Sequence, residues 1–201
     1  MRRTVLPGSK NLIKEVLDGH ALYYEGFTEV LGHRKSLEEI IGVSGLQAEI
    51  INYILRILYL HLDVDQYRIH TNEPGTHIDK RNNVSSDIAI HDKRRLTAEK
   101  ITRKYSTVPP KLIIEVDVNI DLKSSPYDQI EEYILVKTQK LFDFGTERMI
   151  WILTRPKKVM IATSGADWQI VDWNKDIILL DRIFINIAAH LSAEGIDPDA
   201  I

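Results

Sequence analysis

The chain has 201 residues, 44% hydrophobic and 27% charged, the composition of an ordinary globular protein long enough for one substantial core. A formal net charge of −3 gives no global basic field, so any surface for nucleic acid has to be local. The absence of cysteine excludes disulfides and thiolate metal sites and fits a reducing compartment. The opening Met1–Gly8 is basic but lacks the apolar stretch of a signal peptide. The most apolar run, Ile50 to Leu62, is broken by Asn52, Arg56 and His61 and is too short to span a bilayer. These features lead to the expectation of a soluble cytoplasmic protein without a membrane partner. One domain is expected over 1–201, with residues 1–22 as an N-terminal extension and about 23–191 as the core.

In chain order, Asn11 to Leu17 reads as a short helix stopped by Asp18-Gly19, and Tyr23 to Val30 as a strand or hairpin around Gly26. Ser36 followed by Glu39 has the form of a capping box for a short helix ending near Gly42. Ser44 opens a long helix to about Leu62, whose Ile50, Ile51, Ile54, Leu55, Ile57 and Leu58 give a broad apolar face. Strands are expected at Tyr67–Thr71, Asp87–His91 and Leu112–Val118, then a second long helix from about Asp128 to Phe144, stopped by Gly145. A meander follows at Met149–Leu153, Val159–Thr163 and Trp168–Trp173, with a further strand at Ile177–Leu180 and a closing helix at Arg182–Leu191. Helices interspersed with strands favour an α/β or α+β fold around a central mixed sheet.

The chemistry is concentrated where charge interrupts apolar runs. Glu115 stands in the strand Lys111-Leu112-Ile113-Ile114-Glu115-Val116-Asp117-Val118, and Asp87 opens Asp87-Ile88-Ala89-Ile90. Burying an unpaired carboxylate costs several kcal/mol, so each needs a partner. Strand alternation puts Ile113, Glu115 and Asp117 on one face, with the two carboxylates about 7 Å apart. A divalent cation is a partner that suits several carboxylates together. On the second long helix, Ile130, Ile134, Lys137, Leu141 and Phe144 form one stripe at three- and four-residue spacing, so Lys137 sits within the apolar face. Packed on the sheet, that helix directs Lys137 toward Glu115. In isolation, Asp87 has the form of a strand-start hydrogen-bonding group, Glu115 of an ion-pair partner, Asp117 of a solvated strand end, and Lys137 of a lysine that snorkels to water.

Taken together, Ser86-Asp87-Ile88-Ala89-Ile90, Pro109-Pro110-Lys111-Leu112-Ile113-Ile114-Glu115-Val116, and Lys137 through Gly145 to Trp151 resemble the PD-(D/E)XK, restriction-endonuclease-like superfamily. Within it, the chain looks like the Uma-type bacterial endonuclease family, long labelled a domain of unknown function. The resemblance covers about Tyr23 to Leu191. It implies a central mixed sheet flanked by helices and a metal-dependent endonuclease that hydrolyses nucleic-acid phosphodiesters. The implied cofactor is Mg²⁺ or Mn²⁺ on Asp87 and Glu115, with Lys137 completing the catalytic set; the implied partner is nucleic acid, DNA first, and a homodimer is compatible with it. The superfamily's usual lysine lies two residues after the glutamate, where this chain has Asp117. Either Lys137 substitutes, Asp117 becomes an accessory ligand, or the site is degenerate. Glu49, with Gln47 as its near alternative, occupies the region of a further acidic residue. On this reading Lys137→Ala abolishes hydrolysis and leaves folding largely intact. The other outcome is a catalytically inactive member of the fold that binds nucleic acid or protein.

The connection from Asp92 to Pro110 is long for a compact domain and carries Lys93, Arg94, Arg95, Lys100, Arg103 and Lys104, which could grip a phosphate backbone. His70, His77 and His91 show no zinc-ligand spacing. Trp151, Trp168 and Trp173 read as core or hairpin residues.

Overall fold

The computed structural model describes residues 10–199, so the basic opening Met1–Gly8 lies outside the described residues. Two strands come first, β1 (Ile13–Leu17) and β2 (His20–Tyr23), antiparallel and joined by Asp18-Gly19. Both turn residues have positive φ, 50° and 83°, the signature of a type I′ hairpin turn. The expected short helix at Asn11–Leu17 is therefore a single 3₁₀ turn, Lys10–Leu12, leading into the first strand of a hairpin. Its Leu17 and Leu22 are buried, so part of the segment assigned as an extension enters the core.

Gly26, at φ 82°, starts the short helix α1 (Phe27–Leu31) where a strand or hairpin was expected. Helix α2 (Glu38–Ile41) keeps half of the predicted capping box: Ser36 N–H donates to Glu39 Oε2 at 2.7 Å. The long helix α3 (Gly45–His61) is capped by Ser44, whose hydroxyl accepts from Gln47 N–H at 3.1 Å.

Strand β3 (Tyr67–Thr71) is followed by a hairpin that the sequence pattern did not reveal, β4 (Thr76–Asp79) and β5 (Asn82–Val84). Then come β6 (Ile88–Asp92), β7 (Leu112–Val116), α4 (Ile130–Phe144), β8 (Arg148–Leu153), β9 (Lys158–Thr163) and β10 (Gln169–Asp172). The expected closing helix divides into a two-residue strand and a shorter helix. Strands β11 (Ile177–Ile178) and β12 (Phe184–Ile185) pair, and Asn186 caps α5 (Ile187–Ala193) by accepting from Ala189 N–H at 3.0 Å.

The central sheet has the order β10-β9-β8-β7-β6-β3 and is mixed: β7 and β8 are parallel, linked through α4, and the other pairs are antiparallel. A smaller sheet, β2-β1-β5-β4, lies against one of its faces. The alternation of β7 divides the core. Leu112, Ile114 and Val116 pack with Ile88 and Ile90 against Ile50, Ile54 and Leu58 of α3. On the opposite face, Ile113, Met149 and Trp151 pack against Tyr133, Ile134 and Leu141 of α4 and against Leu17, Leu22 and Val84 of the smaller sheet. Trp151 is a core residue, its indole N–H donating to Thr138 Oγ1 at 2.9 Å. Among the described residues no helix is long and apolar enough to cross a membrane.

Candidate active site

Strands β6 and β7 pair with Ile88 opposite Ile114, which sets Asp87 across from Glu115 one step further along. Glu115 lies on the α4 face, because it alternates with Ile114 on the α3 face, and Asp87, just before β6, is tied to it by hydrogen bonds. Each carboxylate reaches the other's strand. Asp87 Oδ2 accepts from Val116 N–H at 2.7 Å, and Glu115 Oε2 accepts from Asp87 N–H at 3.3 Å.

Lys137 projects from the buried side of α4 as the stripe predicted. It is 1% exposed, with Nζ 2.8 Å from Glu115 Oε1. It also meets Glu15 of β1, a residue that sequence reasoning did not single out. Nζ donates to Glu15 Oε2 at 3.0 Å, to the Ser85 carbonyl at 2.9 Å and to Tyr133 Oη at 3.1 Å. Tyr133 in turn donates to Glu15 Oε1 at 2.6 Å. An ammonium has three N–H groups, and these three bonds use them all. The Glu115 contact is therefore one of charge, and Oε1 is a buried oxygen without an aligned hydrogen bond.

These contacts argue against the expectation that Lys137 can be removed without structural cost, since among the described residues it is the only cation touching two buried glutamates. Burial opposes its charge, but Glu115 and Glu15 outweigh that and hold the ammonium well above the usual lysine range. Burial pushes the Glu115 carboxyl up to about 7; Lys137 opposes the rise and Asp87 adds to it. Asp87 is also raised, chiefly by burial, against the Val116 hydrogen bond and the charges of Lys14 and Lys137.

Asp117 does not continue the face of Glu115. The strand ends at Val116, and Asp117 turns into the left-handed region at φ 61°. Its carboxylate accepts from Thr154 N–H at 2.7 Å and from Thr154 Oγ1 at 2.6 Å, closing the end of β8. The expected side-by-side pair of Glu115 and Asp117 is thus replaced by a cross-strand pair of Glu115 and Asp87. Glu49 Oε1 engages His190 Nε2 at 2.8 Å, whereas Gln47 reaches the carboxylate strand, donating from Nε2 to the Val116 carbonyl at 2.7 Å.

The six cations of the long connection are not equivalent. Lys93 Nζ donates to the Val64 carbonyl, Arg94 pairs with Asp92 at 2.5 Å, Arg95 with Glu147 at 3.6 Å, and Lys100 donates to the Arg95 carbonyl at 2.8 Å. Arg103 and Lys104 are exposed and have no side-chain partner among the described residues.

Among the described residues no group of three or more His, Asp or Glu side chains is placed to enclose a metal ion. Two neighbouring carboxylates suit the alternative kind of site. Mg²⁺ keeps several waters and is commonly held by one or two carboxylates together with substrate phosphate. The residues present fit that requirement: Glu115 Oε1 lacks an aligned donor, and Asp87 commits only Oδ2 to the backbone.

No family model matches the sequence, and no curated protein does. Among solved structures, the chain is similar to a protein from Anabaena variabilis described as "a putative nuclease belonging to DUF820". The TM-score is 0.59 and the identity 14%, over 75% of this chain and 82% of that one. At that identity the likeness bears on the fold: an α+β architecture whose mixed central sheet is flanked by helices, in keeping with the restriction-endonuclease-like fold.

Proposed function

We propose that this protein is a metal-dependent nuclease that hydrolyses phosphodiester bonds in nucleic acid, with DNA the first substrate to test. Asp87 and Glu115 are the residues that would hold Mg²⁺ or Mn²⁺. The observation that carries the reading is a cross-strand carboxylate pair with a buried lysine fixed against one of its members. A bound divalent ion would acidify a coordinated water and neutralise charge on the phosphate. Lys137 acts through Glu115: its charge favours the ionised carboxylate that burial opposes, and its three hydrogen bonds fix where that charge sits. Tyr133 and Glu15 hold Lys137 in place. The bonds from Val116 N–H to Asp87 Oδ2 and from Asp87 N–H to Glu115 Oε2 keep the two carboxylates together.

A second reading, a non-catalytic nucleic-acid-binding or protein-interaction domain, draws support from one contact. The ammonium already lies 2.8 Å from the oxygen a metal would use, so the cluster is charge-compensated without an ion.

The test is cleavage of single- and double-stranded DNA and RNA at low salt with Mg²⁺ or Mn²⁺, comparing wild type with Glu115→Gln. Cleavage by wild type and its loss in the variant is the expected result. Equal cleavage by both would identify a contaminant, and no cleavage together with no Mn²⁺ binding would favour the second reading.

A further inference from the structure

A cavity of about 260 Å³ opens on the face of the central sheet that carries Asp87 and Glu115, with His70 and His91 among the residues that line it. His70 pairs with Ala89, Ala89 alternates with His91, and Ala89 faces Ile113, so these residues share the face of Glu115. Asp87 and His91 are four residues apart, about 13 Å along the strand. The outer wall is the end of the basic connection, Lys100 to Ser106.

This wall is fixed in place. Ser106 donates its N–H to the Gly75 carbonyl at 2.9 Å, and its own carbonyl accepts from His77 N–H at 2.8 Å. The Tyr105 ring lies so close to Gly75 that a Cβ there would come within 2.4 Å of it, so only glycine admits the ring.

The lining defines what the cavity would take. Although the protein is acidic overall, no carboxylate lines the cavity among the described residues. Its wall carries Arg103 and Lys104, the two cations of the connection that have no side-chain partner among the described residues. His91, 1% exposed, stands in its floor, and its buried Nδ1 has no hydrogen-bond partner among the described residues. Burial holds that imidazole down to about 4, with His70 and Arg95 adding to the effect, so it is neutral near pH 7 and leaves the attraction of anions to Arg103 and Lys104. Tyr105, half exposed, offers an aromatic surface beside them.

We propose that this cavity binds the phosphate group of a nucleotide, held by Arg103 and Lys104. The proposal rests on the nuclease reading for the ligand being nucleic acid, but the chemistry of the cavity does not need that reading. The phosphate could belong to a free mononucleotide or to a strand that also reaches Asp87. The roughly 13 Å between Asp87 and His91 along the sheet is short enough for a few linked nucleotides to span.

The test measures binding of inorganic phosphate, deoxyadenosine monophosphate and a short single-stranded oligonucleotide in EDTA, where no metal-dependent cleavage occurs. Titration calorimetry serves the small ligands and fluorescence anisotropy the oligonucleotide. Arg103→Ala with Lys104→Ala should weaken binding about tenfold or more for each cation removed. A charge-matched control, Lys93→Ala with Arg94→Ala, removes cations already engaged and should leave affinity nearly unchanged. Binding of phosphate and mononucleotide that depends on Arg103 and Lys104 supports a closed nucleotide site. Binding of the oligonucleotide alone with the same dependence supports a strand-tracking site. Equal losses in both double variants, or no loss in either, would overturn the proposal. Because binding is read in EDTA, without any metal on Asp87 and Glu115, failure of the nuclease reading leaves this result interpretable.

Discussion

Replacing Lys137 by methionine keeps the length of the side chain and deletes its charge, isolating what the ammonium does for the fold. In the native protein that charge sits 3.0 Å from Glu15 and 2.8 Å from Glu115, with Glu15 3% and Glu115 5% exposed. Without it, Glu15 retains only the Tyr133 hydroxyl and a long contact from Ser85 N–H at 3.4 Å. Breaking a buried ion pair from one side costs about 3–5 kcal/mol, because the remaining charge is left uncompensated. Against a typical total stability of about 5–15 kcal/mol, that is a large fraction. Adding Glu15→Gln should restore part of it, since the double variant no longer buries that unpaired carboxylate, and a coupling of at least about 1 kcal/mol is expected. Urea unfolding followed by far-ultraviolet circular dichroism gives all four corners of the cycle, with the midpoint shifting and the slope unchanged. A loss within about 0.5 kcal/mol for Lys137→Met, as for a solvated surface lysine, would refute the reasoning, and so would strict additivity.

Glu115 makes stability depend on pH with a definite sign. A carboxyl raised in the folded state binds more protons there than when unfolded, so its stabilising contribution is full below the ordinary value of 4.5 and is lost as pH rises through about 7. In EDTA, wild type should therefore lose stability relative to Glu115→Gln across that window; a parallel or rising difference would contradict the burial argument. Gly145 ends α4 at φ 112°, and a Cβ there would meet Pro109 at 3.3 Å, so Gly145→Ala should cost about 1 kcal/mol or more in the same unfolding assay. Asp117→Asn should weaken the closure at Thr154, and urea unfolding should register a loss of about 1 kcal/mol.

Much of the site was legible because it sits on long periodic elements. The stripe on α4 placed Lys137 on the buried face, and the apolar run of β7 made Glu115 conspicuous. Gly145 stopped the helix at the expected residue. Glu15 escaped because Leu12, Ile13, Val16 and Leu17 have helical rather than alternating spacing, and Asp18-Gly19 serves as a helix stop or a type I′ turn. Only pairing with β2 and β5 decides between them, and that pairing is tertiary. The β4–β5 hairpin was too short and polar to register as a pattern. Asp117 was misplaced because alternation was extended one residue beyond the strand, past a left-handed backbone that periodicity does not reveal. The tethering of Lys93, Arg94, Arg95 and Lys100 depends on contacts with Val64, Asp92, Glu147 and the Arg95 carbonyl, so composition alone gave all six cations the same weight.

The central claim is that Asp87 and Glu115 together hold one divalent ion. A crystal structure of the protein soaked in Mn²⁺, with anomalous scattering to locate the ion, tests it most directly. The account predicts a single strong peak within about 2–2.6 Å of a carboxylate oxygen from each residue, with Glu115 Oε1 drawn away from Lys137 toward the ion. No peak between Asp87 and Glu115, with Lys137 still seated against Glu115 at saturating Mn²⁺, would contradict it.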